Sequence, residues 1–121
     1  MLPKVLLIEA EIPSIELATL VLNGITEVIA ARNMRHAAEL LKEPNWNLII
    51  ADHEVLDGVT SPFLRELREQ GLQIEILAVS SATHPSVSVE MIEAGCAAFL
   101  PKPYSTDEFR ELVCKLLARS V

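Results

Sequence analysis

The chain has no cluster of basic residues, no closely spaced cysteine pair and no apolar run long enough to cross a bilayer. Its 10 Lys and Arg stand singly among 17 Asp and Glu, for a formal charge of −7. That balance argues against a nucleic-acid footprint or a polybasic membrane patch, since both need clustered cations. Cys96 and Cys114 form no C-x-x-C, and both fall in apolar stretches. They are expected to be buried structural thiols rather than metal or redox ligands. No charged segment followed by a long apolar stretch opens the chain, so it reads as cytoplasmic, with no membrane as partner. Nor is there a G-x-S-x-G, a G-x-G-x-x-G or a phosphate-binding glycine loop, which leaves hydrolases and nucleotide enzymes unsupported. His36, His53 and His84 lack metal-ligand spacing.

What remains is 121 residues, half of them hydrophobic, with no linker, repeat or low-complexity segment. A single domain over residues 1–121 follows. Apolar runs rich in branched residues alternate with helical stretches five times. Strands are expected at residues 4–8, 27–31, 48–51, 74–79 and 97–100. Short runs of this kind read as parallel strands covered on both sides. Helices are expected at about 13–22, stopped by Asn23-Gly24, and at 34–42, capped by Asn33. The third opens at Thr60 or Ser61, carries Pro62 in its first turn and ends before Gly71. The fourth covers about 86–94, and the last runs from an S-x-x-E capping box at Ser105 and Glu108 to about Ala118. The pattern is that of an α/β fold, a doubly wound five-stranded parallel sheet with helices on both faces.

The chemistry is concentrated where strands end. Asp52 closes the run 48–51, and Glu9 and Glu11 follow the run 5–8. In sheets of this class ligands bind outside the carboxyl ends of the strands. If the first and third strands are neighbours, Glu9 and Asp52 approach each other. With the backbone carbonyl of Glu54 nearby, such a pair suits Mg²⁺, which takes few protein oxygens. Lys102 and Ser80, ending other strands, reach the same rim and offer an ammonium and a hydroxyl to a three-oxygen anion. Singly each has a plainer reading: Glu11 as a solvated acid, Ser80 and Ser81 as turn residues, Lys102 as a surface lysine. Their coincidence at one edge carries the argument. His53 should point to the opposite side of its strand from Asp52 and is assigned no catalysis. Trp46 is expected to be a packing cap.

Four segments, VLLIEAE (5–11), NLIIAD (47–52), ILAVSSAT (76–83) and EAGCAAFLPKPYSTDEF (93–109), resemble the receiver domains of two-component response regulators along the whole chain. The resemblance implies the flavodoxin-like strand order 2-1-3-4-5 and a cis Lys102–Pro103 bond. It makes Asp52 the phosphoacceptor and Lys102 the lysine that contacts the acyl phosphate. Ser80 takes the hydroxyl position, Phe99 the aromatic switch position, and Glu9 the first place of an acidic pair. It further implies Mg²⁺, a histidine kinase or phosphotransfer protein as donor and a downstream protein partner. A homodimer through the face of the fourth helix, fifth strand and fifth helix is also among the expected partners. Enzymatic activity would extend no further than self-phosphorylation and autodephosphorylation at Asp52.

Ala10 departs from this pattern, standing where the pair's second acid belongs. Ile12 looks like an added residue that would let Glu11 compensate as a metal ligand. The loop 53–58 is short and has no proline. Two readings follow: a receiver that accepts phosphate on Asp52, and a degenerate receiver that binds partners without phosphorylation. A Mg²⁺-dependent phosphatase is disfavoured, because Glu54 stands where a second Asp would be expected.

Overall fold

The computed structural model describes residues 1–119. Strand β1 (Lys4–Ile8) leads into helix α1 (Ile12–Val21), then β2 (Glu27–Ala31), α2 (Met34–Leu40) and β3 (Leu48–Asp52). A two-residue hairpin, β4 (Glu54–Val55) and β5 (Gly58–Val59), precedes α3 (Ser61–Glu69). The chain continues through β6 (Ile76–Ser80), α4 (Pro85–Glu93), β7 (Ala98–Pro101) and α5 (Thr106–Ala118). The main sheet is parallel, in order β2-β1-β3-β6-β7. Leaving out the hairpin, this is the expected order 2-1-3-4-5.

Side chains alternate across each strand, and the alternation divides the core in two. Val5, Leu7, Leu48, Ile50, Leu77 and Val79 pack with Phe109, Val113 and Leu116 of α5 and with Ala18 of α1. Leu6, Ile8, Ile49, Ala51, Ile76 and Ala78 pack with Ala37 of α2, Leu64 of α3 and Met91 of α4. β1, β3 and β6 are buried almost throughout, which is why they read as unbroken apolar runs.

Several boundaries shift. β3 includes Asp52, and β6 starts at Ile76 rather than 74. α2 stops at Leu40, two residues short of Lys42, and positive-φ Asn45 follows in the turn before β3. Asn33 caps α2, its side chain accepting from His36 N at 2.7 Å. Ser105 caps α5, its hydroxyl accepting from Glu108 N at 3.0 Å. Trp46 is buried, donates from Nε1 to Leu40 O at 3.0 Å and lies under the Lys4 ammonium. One expectation fails: Cys114 is exposed, because the helical period of α5 rotates it away from Val113 and Leu117. Cys96 is buried, and burial pushes its thiol up to about 11, against a smaller opposing effect of the Arg68 charge. Such a thiol is inert.

Candidate functional site

Parallel pairing of β1 with β3 sets Ile8 beside Ala51, so the residues that follow, Glu9 and Asp52, leave the sheet side by side. Both carboxylates are buried. Lys102, just past β7, is held against β6 by its own N–H, which donates to Ser80 O at 2.8 Å. The Lys102–Pro103 bond is cis. The lysine Nζ donates to Glu9 Oε1 at 2.5 Å, to Asp52 Oδ2 at 2.7 Å and to Ser14 Oγ, in the first turn of α1, at 3.3 Å. Three strand ends thus deliver one cation and two anions to one point.

The remaining carboxylate oxygens have backbone donors. Glu11 N donates to Glu9 Oε2 at 3.2 Å, and Glu54 N to Asp52 Oδ1 at 3.1 Å. Burial raises the Glu9 carboxyl above its ordinary range; the Lys102 hydrogen bond opposes this and the Asp52 charge adds to it. Burial alone would pull the Lys102 ammonium down, but its hydrogen bonds to Asp52 and Glu9 more than offset that, and it holds its proton above the usual lysine value. A cavity of about 250 Å³ opens beside the lysine, lined by Ser14, Leu17, Ser81, Lys102, Pro103 and Tyr104.

Other expected residues lie close by without joining this cluster. Ser80 is buried, and its hydroxyl accepts from Ala82 N at 3.0 Å. Phe99 is half-buried on the α4 side of the sheet, paired in register with Ala78, two residues before Ser80. Glu11 meets Glu9 through its backbone N–H, while its side chain is exposed. Among the described residues no three His, Cys, Asp or Glu gather as a metal-binding group. Even so, two carboxylates that already converge on one point charge are hard oxygen donors of the kind Mg²⁺ accepts while keeping several waters. The donor set fits such an ion sparsely.

Some participants were not legible in the sequence. Thr60, expected as a helix cap, makes no cap hydrogen bond with its side chain. Its fully buried hydroxyl donates to Asp52 O at 2.6 Å and contacts His53 O at 3.1 Å, clamping the peptide that carries the Asp52 carboxylate. Ser14 has no local signal, since its role depends on where α1 docks.

Residues 5–114 match the family model described as the response regulator receiver domain. This chain belongs to that family. Chemotaxis protein CheY of Bacillus subtilis is 32% identical over 100 residues, covering 81% of this chain and 82% of that protein. The transcriptional regulatory protein CitT of the same organism is 27% identical over 92 residues, covering 76% of this chain but only 41% of CitT. The receiver domain of the Francisella response regulator 1452 superimposes with a TM-score of 0.88 at 22% identity, covering 98% of this chain and 99% of that one. At that identity the likeness shows the fold alone. Receiver domains are signalling modules of two-component systems rather than enzymes in their own right, and the family typically binds Mg²⁺ at its acidic pocket. Among the described residues no helix is long and apolar enough to cross a membrane.

Proposed function

We propose that this receiver, working in the cytoplasm, accepts a phosphoryl group on Asp52 from the phosphohistidine of a histidine kinase or phosphotransfer protein. The observation that carries this reading is the convergence of Asp52, Glu9 and Lys102. Asp52 supplies the nucleophilic oxygen: an O–P bond forms to the donor's phosphorus, giving an acyl phosphate, as the donor's N–P bond breaks, and the freed imidazole takes a proton from solvent. Lys102, protonated and already 2.7 Å from Asp52 Oδ2, pairs with the charge on the transferred group. Glu9, Asp52 and the Glu54 carbonyl would hold Mg²⁺, which when bound neutralises charge on the phosphoryl oxygens. The Ser80 hydroxyl then gives up the bond it accepts from Ala82 N and donates to a phosphoryl oxygen, and Phe99 turns into the space this leaves. A downstream protein, or a second copy of this chain, reads the altered face of α4, β7 and α5.

The test is incubation with Mg²⁺ and acetyl phosphate, followed by intact mass measurement. A gain of one phosphoryl group, absent in Asp52→Asn, is expected. No gain in the wild type under conditions that label a CheY control would overturn the assignment.

One observation favours the degenerate reading. All four oxygens of Glu9 and Asp52 already have protein donors, so the pocket is satisfied without metal or phosphate. On that reading partner binding is the same for the wild type and Asp52→Asn.

A further inference from the structure

Successive residues of a strand face opposite ways. Asp52 follows the Leu48 and Ile50 side towards α1 and α5, whereas His53 follows the Ile49 and Ala51 side towards α4. There His53 Nε2 lies 3.0 Å from Oε2 of Glu90, in the second half of α4. The same carboxylate oxygen accepts the hydroxyl of Ser61, the first residue of α3. The Ser61 hydrogen bond, and to a lesser degree His53, hold the Glu90 carboxyl below its ordinary range against a partial opposing effect of burial. An ionised carboxylate only accepts, so Nε2 carries the hydrogen and donates.

The histidine's own backbone is fixed. His53 N donates to Val79 O at 3.0 Å, and His53 O accepts from Thr60 N at 2.9 Å. One oxygen of Glu90 therefore joins α4 to the residue that follows the acceptor and to the start of α3. α4 otherwise meets the core through buried Val87 and Met91. Apolar contacts are non-directional and tolerate small shifts of a helix, whereas a hydrogen-bonded carboxylate does not. The Glu90 side chain is 39% exposed and that of His53 16%. Opening this link returns its groups to water, so it costs far less than opening a fully buried ion pair.

We propose that Glu90 is a positioning residue: a breakable strap that holds α4 against the acceptor loop and sets how readily α4 moves when Asp52 is modified. The second half of this statement rests on the phosphoryl-accepting reading above. Coupling between sites is reciprocal. If a phosphoryl mimic at Asp52 loosens α4, loosening α4 by removing the strap must tighten binding of the mimic, by no more than that factor.

The experiment compares the full chain with Glu90→Ala, Glu90→Gln and Ser61→Ala. Amide hydrogen exchange across residues 87–94 is measured first without ligand. The strap predicts exchange roughly tenfold faster in Glu90→Ala, less in Glu90→Gln and Ser61→Ala, and no change in β1, β3 and β6. Unchanged α4 exchange in Glu90→Ala would overturn the strap, and acceleration spread equally over the sheet would show global destabilisation instead. Beryllofluoride with Mg²⁺ is then titrated. Faster α4 exchange on binding in the wild type, with correspondingly tighter binding to Glu90→Ala, is expected. Identical affinity in both proteins overturns the coupling. If neither protein binds beryllofluoride, the phosphoryl-accepting function and the coupling fall together, while the ligand-free exchange decides the strap.

Discussion

Lys102 Nζ lies 2.5 Å from Glu9 Oε1, joining residues 93 positions apart in the chain. The same nitrogen holds Asp52, so one ammonium balances two buried carboxylates. Removing one member of such a group leaves uncompensated charge, typically at a cost of about 3–5 kcal/mol when burial is complete. At this pocket rim Lys102→Met is expected to lose about 2–3 kcal/mol at neutral pH. Since the Glu9 carboxyl is already raised by burial and loses the hydrogen bond that opposes this, the penalty should shrink in mild acid as Glu9 protonates. Urea unfolding of both proteins at the two pH values checks this; an equal penalty at both would contradict it.

Alkaline pH provides a second measurement. Lys102 holds its proton above the ordinary 10.5, its carboxylate partners outweighing the opposing effect of burial. The Tyr104 phenol is raised above the ordinary 10.0, chiefly by burial, with the Lys102 charge opposing. In both cases the folded state keeps a proton that the unfolded chain releases, so stability falls as pH rises from about 10 through the folded values. Tyr104→Phe and Lys102→Met should each flatten this limb. Tyr104 is the only tyrosine, so ultraviolet titration reads it directly, and an ordinary midpoint would refute the assignment.

The metal is tested by restoring an acid. Ala10→Asp should tighten Mg²⁺ binding roughly tenfold, the scale on which changes to a metal site's ligand environment act. Calorimetric titration gives the comparison. Equal affinities would mean that the site already has its ligands, or that it takes no ion.

Gly71 and Gly95 both have positive φ, at +95° and +109°, yet their surroundings differ. A Cβ at Gly71 meets open space, while one at Gly95 would lie 2.6 Å from Arg68 Cγ. Arg68 also donates to Gly95 O and Leu72 O, so its stem cannot retreat without losing those bonds. Gly71→Ala should cost about 1–2 kcal/mol for backbone strain alone. Gly95→Ala should cost at least about 1 kcal/mol more, as a half-buried hydrogen-bonding group is displaced. Similar losses by thermal unfolding would show that Arg68 adjusts freely.

The strand–helix alternation was legible because β1, β3 and β6 are covered on both sides, leaving apolar runs that end abruptly in Glu9, Asp52 and Ser80. The rim was legible for the same reason: chemistry at a strand end needs no knowledge of helix docking. Contacts made between helices left no such trace. Glu90 is one acid among many on exposed surfaces until α4 is placed over β6 and β7, within reach of His53, and Ser14 is an ordinary first-turn residue until Lys102 reaches it. The β4–β5 hairpin is too short for a period of two to register. Cys114 was misjudged because an apolar neighbourhood in sequence is not an apolar direction in a helix.

The β4–β5 hairpin ties the loop after Asp52 to a neighbouring helix. Leu56 N donates to Arg32 O at 3.2 Å, and the Asp57 carboxylate accepts from Met34 N at 2.7 Å and Arg35 N at 3.2 Å. The connection after Asp52 is thereby bolted to the start of α2, and the free amides of that helix act as the catch. On the other side, the cavity beside Lys102 is bridged by the hydrogen bond from Lys102 Nζ to Ser14 Oγ of α1 at 3.3 Å. The loop after Asp52 is thus fastened along its α2 side, whereas on the α1 side the rim gives onto the cavity lined by Ser14, Leu17, Lys102 and Tyr104.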